Sequence, residues 1–303
     1  MRNDPFYHQP FDFQLYTEKL YTLPARCPGM HLFSAGESVL GKPLWCLFAG
    51  DPGCAPVLLA GGTHGSEWIT SMLLTLFAET LADTAASGGS IAGIRADSVL
   101  QHHSLILLPC LNPDGVEIAI HGPTAAGDRS SSVQRMMEEH PGAVWQANVR
   151  GVDLNHNFDA GWEVLRELEQ RSGICVPGPT RFGGPCPFSE PETAAVRSLC
   201  GCHNFRQLFS FHAQGEEIYW RYGSRTPGRG LLIARILAAS SDYTVCDPTG
   251  TAAHGGMKDW FIQQTGRPGF TIEVGKGQNP LPLQQLESIW ERLQELMMLS
   301  VLV

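Results

Sequence analysis

Residues 55–85 read APVLLAGGTHGSEWITSMLLTLFAETLADTA. APVLLA is a short apolar run closed by two glycines, the form of a strand buried on both faces. THGSEW is too polar to continue it, and from Ile69 the apolar residues return with the spacing of a helix. Strand, tight loop and helix in succession point to an α/β fold with a mostly parallel or mixed sheet.

The flanks fit this reading. HLFSAGESVLGKPLWCLFAG (31–50) predicts two short strands around a turn at Gly41, a hairpin that opens the fold. SLILLPCL (104–111) has the continuous apolar character of another buried strand, and NPDG (112–115) reads as its turn. Residues 121–150 look polar and irregular. SEPETAAVRSL (189–199) carries helix-start signals, with Ser189 as N-cap and Glu192 at capping-box spacing. RQLFSFHAQG (206–215) and GFTIEVG (269–275) predict further strands. No repeat or linker divides the chain, so residues 1–303 are read as one α/β domain, with 1–30 a proline- and aromatic-rich extension packed on it. Ligands of open α/β sheets bind beyond the carboxyl ends of the strands, and the polar motifs here follow apolar runs in that way.

Composition removes several classes of function. With 21 basic and 30 acidic residues the formal charge is −9, and no Lys/Arg cluster exists to neutralise a run of phosphates, which argues against nucleic acid. No window approaches the roughly 18 uninterrupted apolar residues of a membrane span. Asp4 and Asp12 fall where a signal peptide would need its apolar stretch, so the expectation is a soluble, cytoplasmic chain with no membrane partner. Nine scattered cysteines, an odd number, read as reduced thiols, and Cys200 and Cys202 lack a second pair at metal-finger spacing.

The chemistry-bearing residues stand at strand ends. His64 and Glu67 are three apart at a helix start, where an imidazole and a carboxylate could grip one ion. Alone, that pair is weak evidence for a metal and reads as a helix N-terminus with a favourably placed acid. His212 ends the apolar run LFSF and completes two histidines and one carboxylate, a zinc set that leaves a fourth position open. Glu273 ends GFTI, where desolvation would raise its pKa and a proton could be taken and returned.

THGSEW, LNPDGVE, RGVDLNHNFDAGW, FSEPET, FSFH and FTIEVG, in this order, resemble the zinc carboxypeptidase family from about Gly36 onward. The resemblance implies a mixed eight-stranded sheet flanked by helices on both faces. It also implies one Zn2+ per chain on His64, Glu67 and His212, and Glu273 as general base.

Departures from the family pattern concern the substrate. The family's Asn-Arg pair, whose arginine clamps a terminal carboxylate, is here Asn155-His156, and imidazole lacks that bidentate, permanently charged fork. Thr251 stands where a substrate-contacting tyrosine is usual. Lys258 falls at the position lining the side-chain pocket, where an ammonium favours a carboxylate-bearing substrate. These features, with HAQGEEIYW, resemble the bacterial branch that cleaves γ-D-glutamyl-diaminopimelate bonds, so the expected partner is a small muropeptide. Gln214 and His254 are expected on the site wall. For the oxyanion, Arg150 in WQANVRG is the favoured residue, although alignment from the tryptophan falls on Gln146. Two other readings stay open: a zinc carboxypeptidase or amidohydrolase on ordinary peptides or N-acyl amino acids, and a non-catalytic muropeptide binder. Oligomeric state is not legible.

Overall fold

The computed structural model describes residues 4–303; the side chain of Thr251, and with it the expectation at that position, lies outside the described residues. Among the described residues ten strands form: β1 (His31–Glu37), β2 (Pro43–Gly50), β3 (Val57–Ala60), β4 (Ser90–Ile91), β5 (Ile94–Arg95), β6 (Ser104–Leu108), β7 (Gln207–His212), β8 (Glu217–Tyr219), β9 (Thr244–Cys246) and β10 (Gly269–Glu273). The short β4–β5 hairpin stands apart, and the other eight make one sheet in the order β1-β2-β6-β3-β7-β10-β8-β9. The four central strands β6, β3, β7 and β10 run parallel, whereas β2 against β6 and β8 against β10 are antiparallel. The mixed eight-stranded sheet expected from the family resemblance is therefore present.

Alternation along each strand splits the interior in two. Val57, Leu59, Leu105, Leu107, Phe209 and Phe211 join one core. Their neighbours Leu58, Ala60, Ile106, Leu108 and Leu208 join the other. The first is covered by helices Phe13–Arg26, Trp68–Ala86, Arg229–Ser241 and Gln285–Leu302, the second by Pro191–Cys202 and Met257–Thr265. This explains why the central strands are buried on both faces and mostly apolar: each Val, Leu, Ile or Phe buries a side chain, worth about 1.5–3 kcal/mol, with Ser104, Gln207, Ser210 and Thr271 as buried polar exceptions. Among the described residues no helix is long and apolar enough to cross a membrane.

Four local expectations are corrected. The fold opens on the helix Phe13–Arg26 rather than on the hairpin; Asp12 caps it by accepting from the Leu15 amide at 2.8 Å. Part of the irregular-looking 121–150 segment is the helix Ser130–Glu139, whose Val133 and Met136 enter a small third core. NPDG is a helix start: Asn112 accepts from the Gly115 amide at 2.9 Å, with Pro113 leading the helix Pro113–His121. The capping box at Ser189 does not form, because Pro191 sets the helix start and Glu190 becomes the N-cap. Glu192 turns inward instead, accepting from the Val39 amide at 3.2 Å and the Asn148 amide group at 3.3 Å.

Candidate active site and metal centre

The loop after β3 is compressed against its surroundings. Gly62 has φ +59°, and a Cβ there would meet Ser71 Oγ at 2.3 Å; at Gly65 one would stand 2.2 Å from the Gly115 carbonyl oxygen. Glycine is therefore required for the backbone to approach so closely. His64, extended, then leads a 3₁₀ turn over Gly65–Glu67 before the helix Trp68–Ala86. In a 3₁₀ turn residues three apart eclipse each other, which brings the His64 and Glu67 side chains together. His212 enters from the end of β7, and Glu273, paired with it in register, from the end of β10.

His64, Glu67 and His212 converge, with their donor atoms all within 4.8 Å of one another. His64 Nδ1 lies 2.8 Å from Glu67 Oε1 and 3.3 Å from His212 Nδ1, which lies 3.1 Å from Glu67 Oε2. Donors about 2.0–2.1 Å from a tetrahedral zinc stand roughly 3.3 Å apart, so the spacing fits. The outer partners point the same way. His64 Nε2 faces Asp153 Oδ1 at 3.1 Å and His212 Nε2 faces Ser210 Oγ at 3.0 Å, leaving both Nδ1 atoms turned inward. Glu67 is steadied by the Ala213 amide at 3.1 Å and by Asn279 Nδ2 at 3.4 Å. Burial alone would raise the Glu67 carboxyl, but His64 and His212 hold it at about 2, so it is a carboxylate ready for a cation.

The convergence lies in a cleft of about 410 Å³, which also takes in Asn155, His156, Gln214, His254, Lys258 and Glu273. The Glu273 side chain forms no hydrogen bond or ion pair with any described residue, and burial beside Glu67 and Glu217 pushes its carboxyl well above the ordinary value. Tyr219 also lines the cleft, but its phenol donates to Glu217 at 2.6 Å.

On the recognition side, Asn155 Oδ1 accepts from the Met257 amide at 3.1 Å, which leaves its amide nitrogen for the cleft. His156 Nδ1 donates to Glu169 Oε1 at 2.7 Å and to the Arg181 carbonyl at 3.0 Å. Burial works against the imidazolium, but Asp153 and Glu169 outweigh it and raise the His156 pKa. Its charge is thus already matched. Lys258 is buried, ion-paired with Asp259, and donates to the Arg221 carbonyl at 3.0 Å. The Nδ1 of His254 is buried without a partner among the described residues, and its ring packs edge-on against Tyr222.

Arg150 does not line the cleft; its guanidinium sits 3.4 Å from Glu190 Oε2. Gln146 does line it, its Oε1 accepting from the Thr180 hydroxyl and its Nε2 carrying no partner among the described residues. The expectation at Arg150 is thus corrected by a structural ion pair, and the position given by alignment from the tryptophan faces the site. Several cleft residues escaped the sequence reading, among them Asp153, Arg181, Asp259 and Asn279. Nothing in the sequence singles out Asp153 within RGVDLNHNFDAGW as a partner of His64, and Arg181 lies in a loop with no periodicity to place it.

The zinc carboxypeptidase family profile matches residues 16–296. The γ-D-glutamyl-L-diamino acid endopeptidase 1 of Lysinibacillus sphaericus is 31% identical over 285 residues, covering 93% of this chain and 70% of that protein. In fold, bovine thrombin-activatable fibrinolysis inhibitor, solved with a tick carboxypeptidase inhibitor, is similar at a TM-score of 0.74 and 19% identity over 97% of each chain. The murein-tripeptide amidase of Escherichia coli O157 is similar at 0.54 and 22% identity, covering 88% of this chain and 92% of that one. With its sheet, its converging His-Glu-His set and this match across nearly the whole length, the chain belongs to the zinc carboxypeptidase family and is a zinc metallopeptidase.

Proposed function

We propose that the chain hydrolyses γ-D-glutamyl-diaminopimelate amide bonds in cell-wall peptides and acts in the cytoplasm on recycled muropeptides. The observation that carries this is the likeness, over 93% of the chain, to an endopeptidase named for γ-D-glutamyl-L-diamino acid bonds. The cleft supports it. The far end of meso-diaminopimelate is an ammonium beside a carboxylate, and the Lys258–Asp259 pair on the cleft wall offers the complementary charges. A lysine side chain would satisfy Asp259 and leave Lys258 unanswered. The nine cysteines are free thiols, which supports a reducing compartment.

In this reading His64, Glu67 and His212 hold the zinc, Asp153 and Ser210 fix the imidazoles, and Asn279 steadies Glu67. Zinc, when bound, supplies a Lewis acid that polarises a carbonyl and acidifies water. Glu273 accepts the proton of the attacking water on a carboxylate oxygen and passes it to the nitrogen of the departing diaminopimelate. Without an internal partner, its carboxyl is free to cycle between the two states, and such proton transfer contributes about 10²–10⁴-fold. Gln146 Nε2 donates toward the oxygen of the former carbonyl, its amide fixed by Thr180. Asn155, His156, Gln214 and His254 shape the peptide-binding walls.

The test is product mass spectrometry after incubating zinc-loaded protein with L-Ala-γ-D-Glu-meso-diaminopimelate beside a chelated control. L-Ala-D-Glu and free diaminopimelate, absent from the control, are expected. Cleavage of hippuryl-type substrates with no γ-D-glutamyl cleavage would replace this reading with an ordinary carboxypeptidase.

A further inference from the structure

Two side chains with permanent cationic character line the cleft, Lys258 and Arg181, and they are in opposite circumstances. Lys258 is buried and tied to Asp259. The guanidinium of Arg181 is exposed and forms no hydrogen bond or ion pair with any described residue. Its backbone, by contrast, is fixed to the site: the amide donates to Asp153 Oδ2 at 3.0 Å and the carbonyl accepts from His156 at 3.0 Å, with φ +67°. The peptide unit is therefore locked to the carboxylate that orients His64 and to the imidazole standing in the Asn155-His156 pair. An arginine anchored at its backbone in this way, with its fork unpaired, is available to an anion in the cleft.

His156 cannot give a two-point grip: its Nδ1 proton is engaged by Glu169 and the Arg181 carbonyl, which leaves only Nε2, and its charge is already matched by Asp153 and Glu169. Arg150 is outside the cleft and paired with Glu190. The remaining charged walls are acidic, with Asp153, Glu217, Asp259 and Glu273 all facing in. An anionic peptide entering this cleft meets one cation that does not have to abandon an internal partner.

We propose that Arg181 is the carboxylate-anchoring residue of this peptidase, taking a carboxylate of the substrate in a bidentate grip. The inference rests on the reading of the substrate as an anionic γ-glutamyl peptide. Such a peptide offers two sources: the free α-carboxylate of the γ-linked glutamate on the acyl side, and the carboxylates of diaminopimelate on the amine side.

The experiment is calorimetric titration of zinc-loaded Glu273→Gln protein, alone and combined with Arg181→Gln or Arg181→Lys. The ligands are L-Ala-γ-D-Glu-meso-diaminopimelate and two analogues, one amidated at the glutamyl α-carboxylate and one at diaminopimelate. One amide should bind ~10–100-fold more weakly than the parent peptide. Arg181→Gln should show the same loss for the parent and no further loss with that amide, and Arg181→Lys should recover part of it. Which amide is affected identifies the side on which the carboxylate lies. Undiminished acid-over-amide preference in Arg181→Gln would overturn the proposal. If none of the three peptides binds, the cell-wall reading fails separately. Arg181 is then tested with mercaptomethyl-pentanedioic acid against its monoamides, a probe whose thiol seeks zinc. Loss of its acid preference in Arg181→Gln supports the anchoring role, and retention refutes it.

Discussion

The metal side and the recognition side of the cleft are built differently. His64, His212 and Glu273 sit at or just beyond the ends of adjacent parallel strands, in register and backed by two cores. His156, Arg181 and Lys258 come from a short turn, an irregular loop and the first turn of a helix, held by hydrogen bonds and ion pairs. Where the sheet fixes position, side-chain type alone announces the chemistry. Where loops fix it, the partner of each charge decides what that charge can do, and partners far apart in sequence are invisible until the chain folds.

The sharpest way to break this contrast is Lys258→Met. It strands the Asp259 carboxylate, which burial already pushes above its ordinary value, and should cost about 3–5 kcal/mol in urea unfolding near pH 8. Because the stranded acid can take up a proton, the loss should shrink toward pH 5. A loss independent of pH would show that the pair does not carry the wall. On the metal side, Asp153→Asn keeps the shape but removes the charge behind His64, and zinc affinity measured by chelator competition should fall ~10–100-fold. Unchanged affinity would detach Asp153 from the metal.

The smallest effect concerns the support behind the recognition wall. Burial, with Asp114 and Glu190 nearby, pushes the Glu192 carboxyl up to about 7. Between its ordinary range and about 7 the folded chain keeps a proton that the unfolded chain has lost, so this group subtracts stability as pH rises through that window. Glu192→Gln should flatten that decline, a gain of about 1–2 kcal/mol at pH 8 and little at pH 4, read from paired urea titrations. An unaltered pH slope would mean that Glu192 is ionised in the folded state.

The same contrast explains what was legible. The runs leading to His212 and Glu273, LFSF and GFTI, are apolar but for one hydroxyl residue each, and the ionisable residue ending each is conspicuous for that reason. The helix Ser130–Glu139 was missed because only Val133 and Met136 of its residues are buried, leaving a polar composition that reads as loop. Ser189 was misread because local spacing favoured a capping box while Val39 and Asn148, distant in sequence, claimed Glu192. Arg150 and Arg181 look alike in sequence; Glu190 takes the first and nothing among the described residues takes the second.

The central claim is that His64, Glu67 and His212 hold zinc while Glu273 moves the proton. Its most direct test is zinc content by mass spectrometry and turnover of a γ-D-glutamyl-diaminopimelate peptide, measured side by side for the unaltered protein and Glu273→Gln. The account predicts one zinc per chain in both and turnover lost by on the order of 10²–10⁴-fold in the variant. A Glu273→Gln protein that still turns over at the original rate, or that loses its zinc, would contradict it.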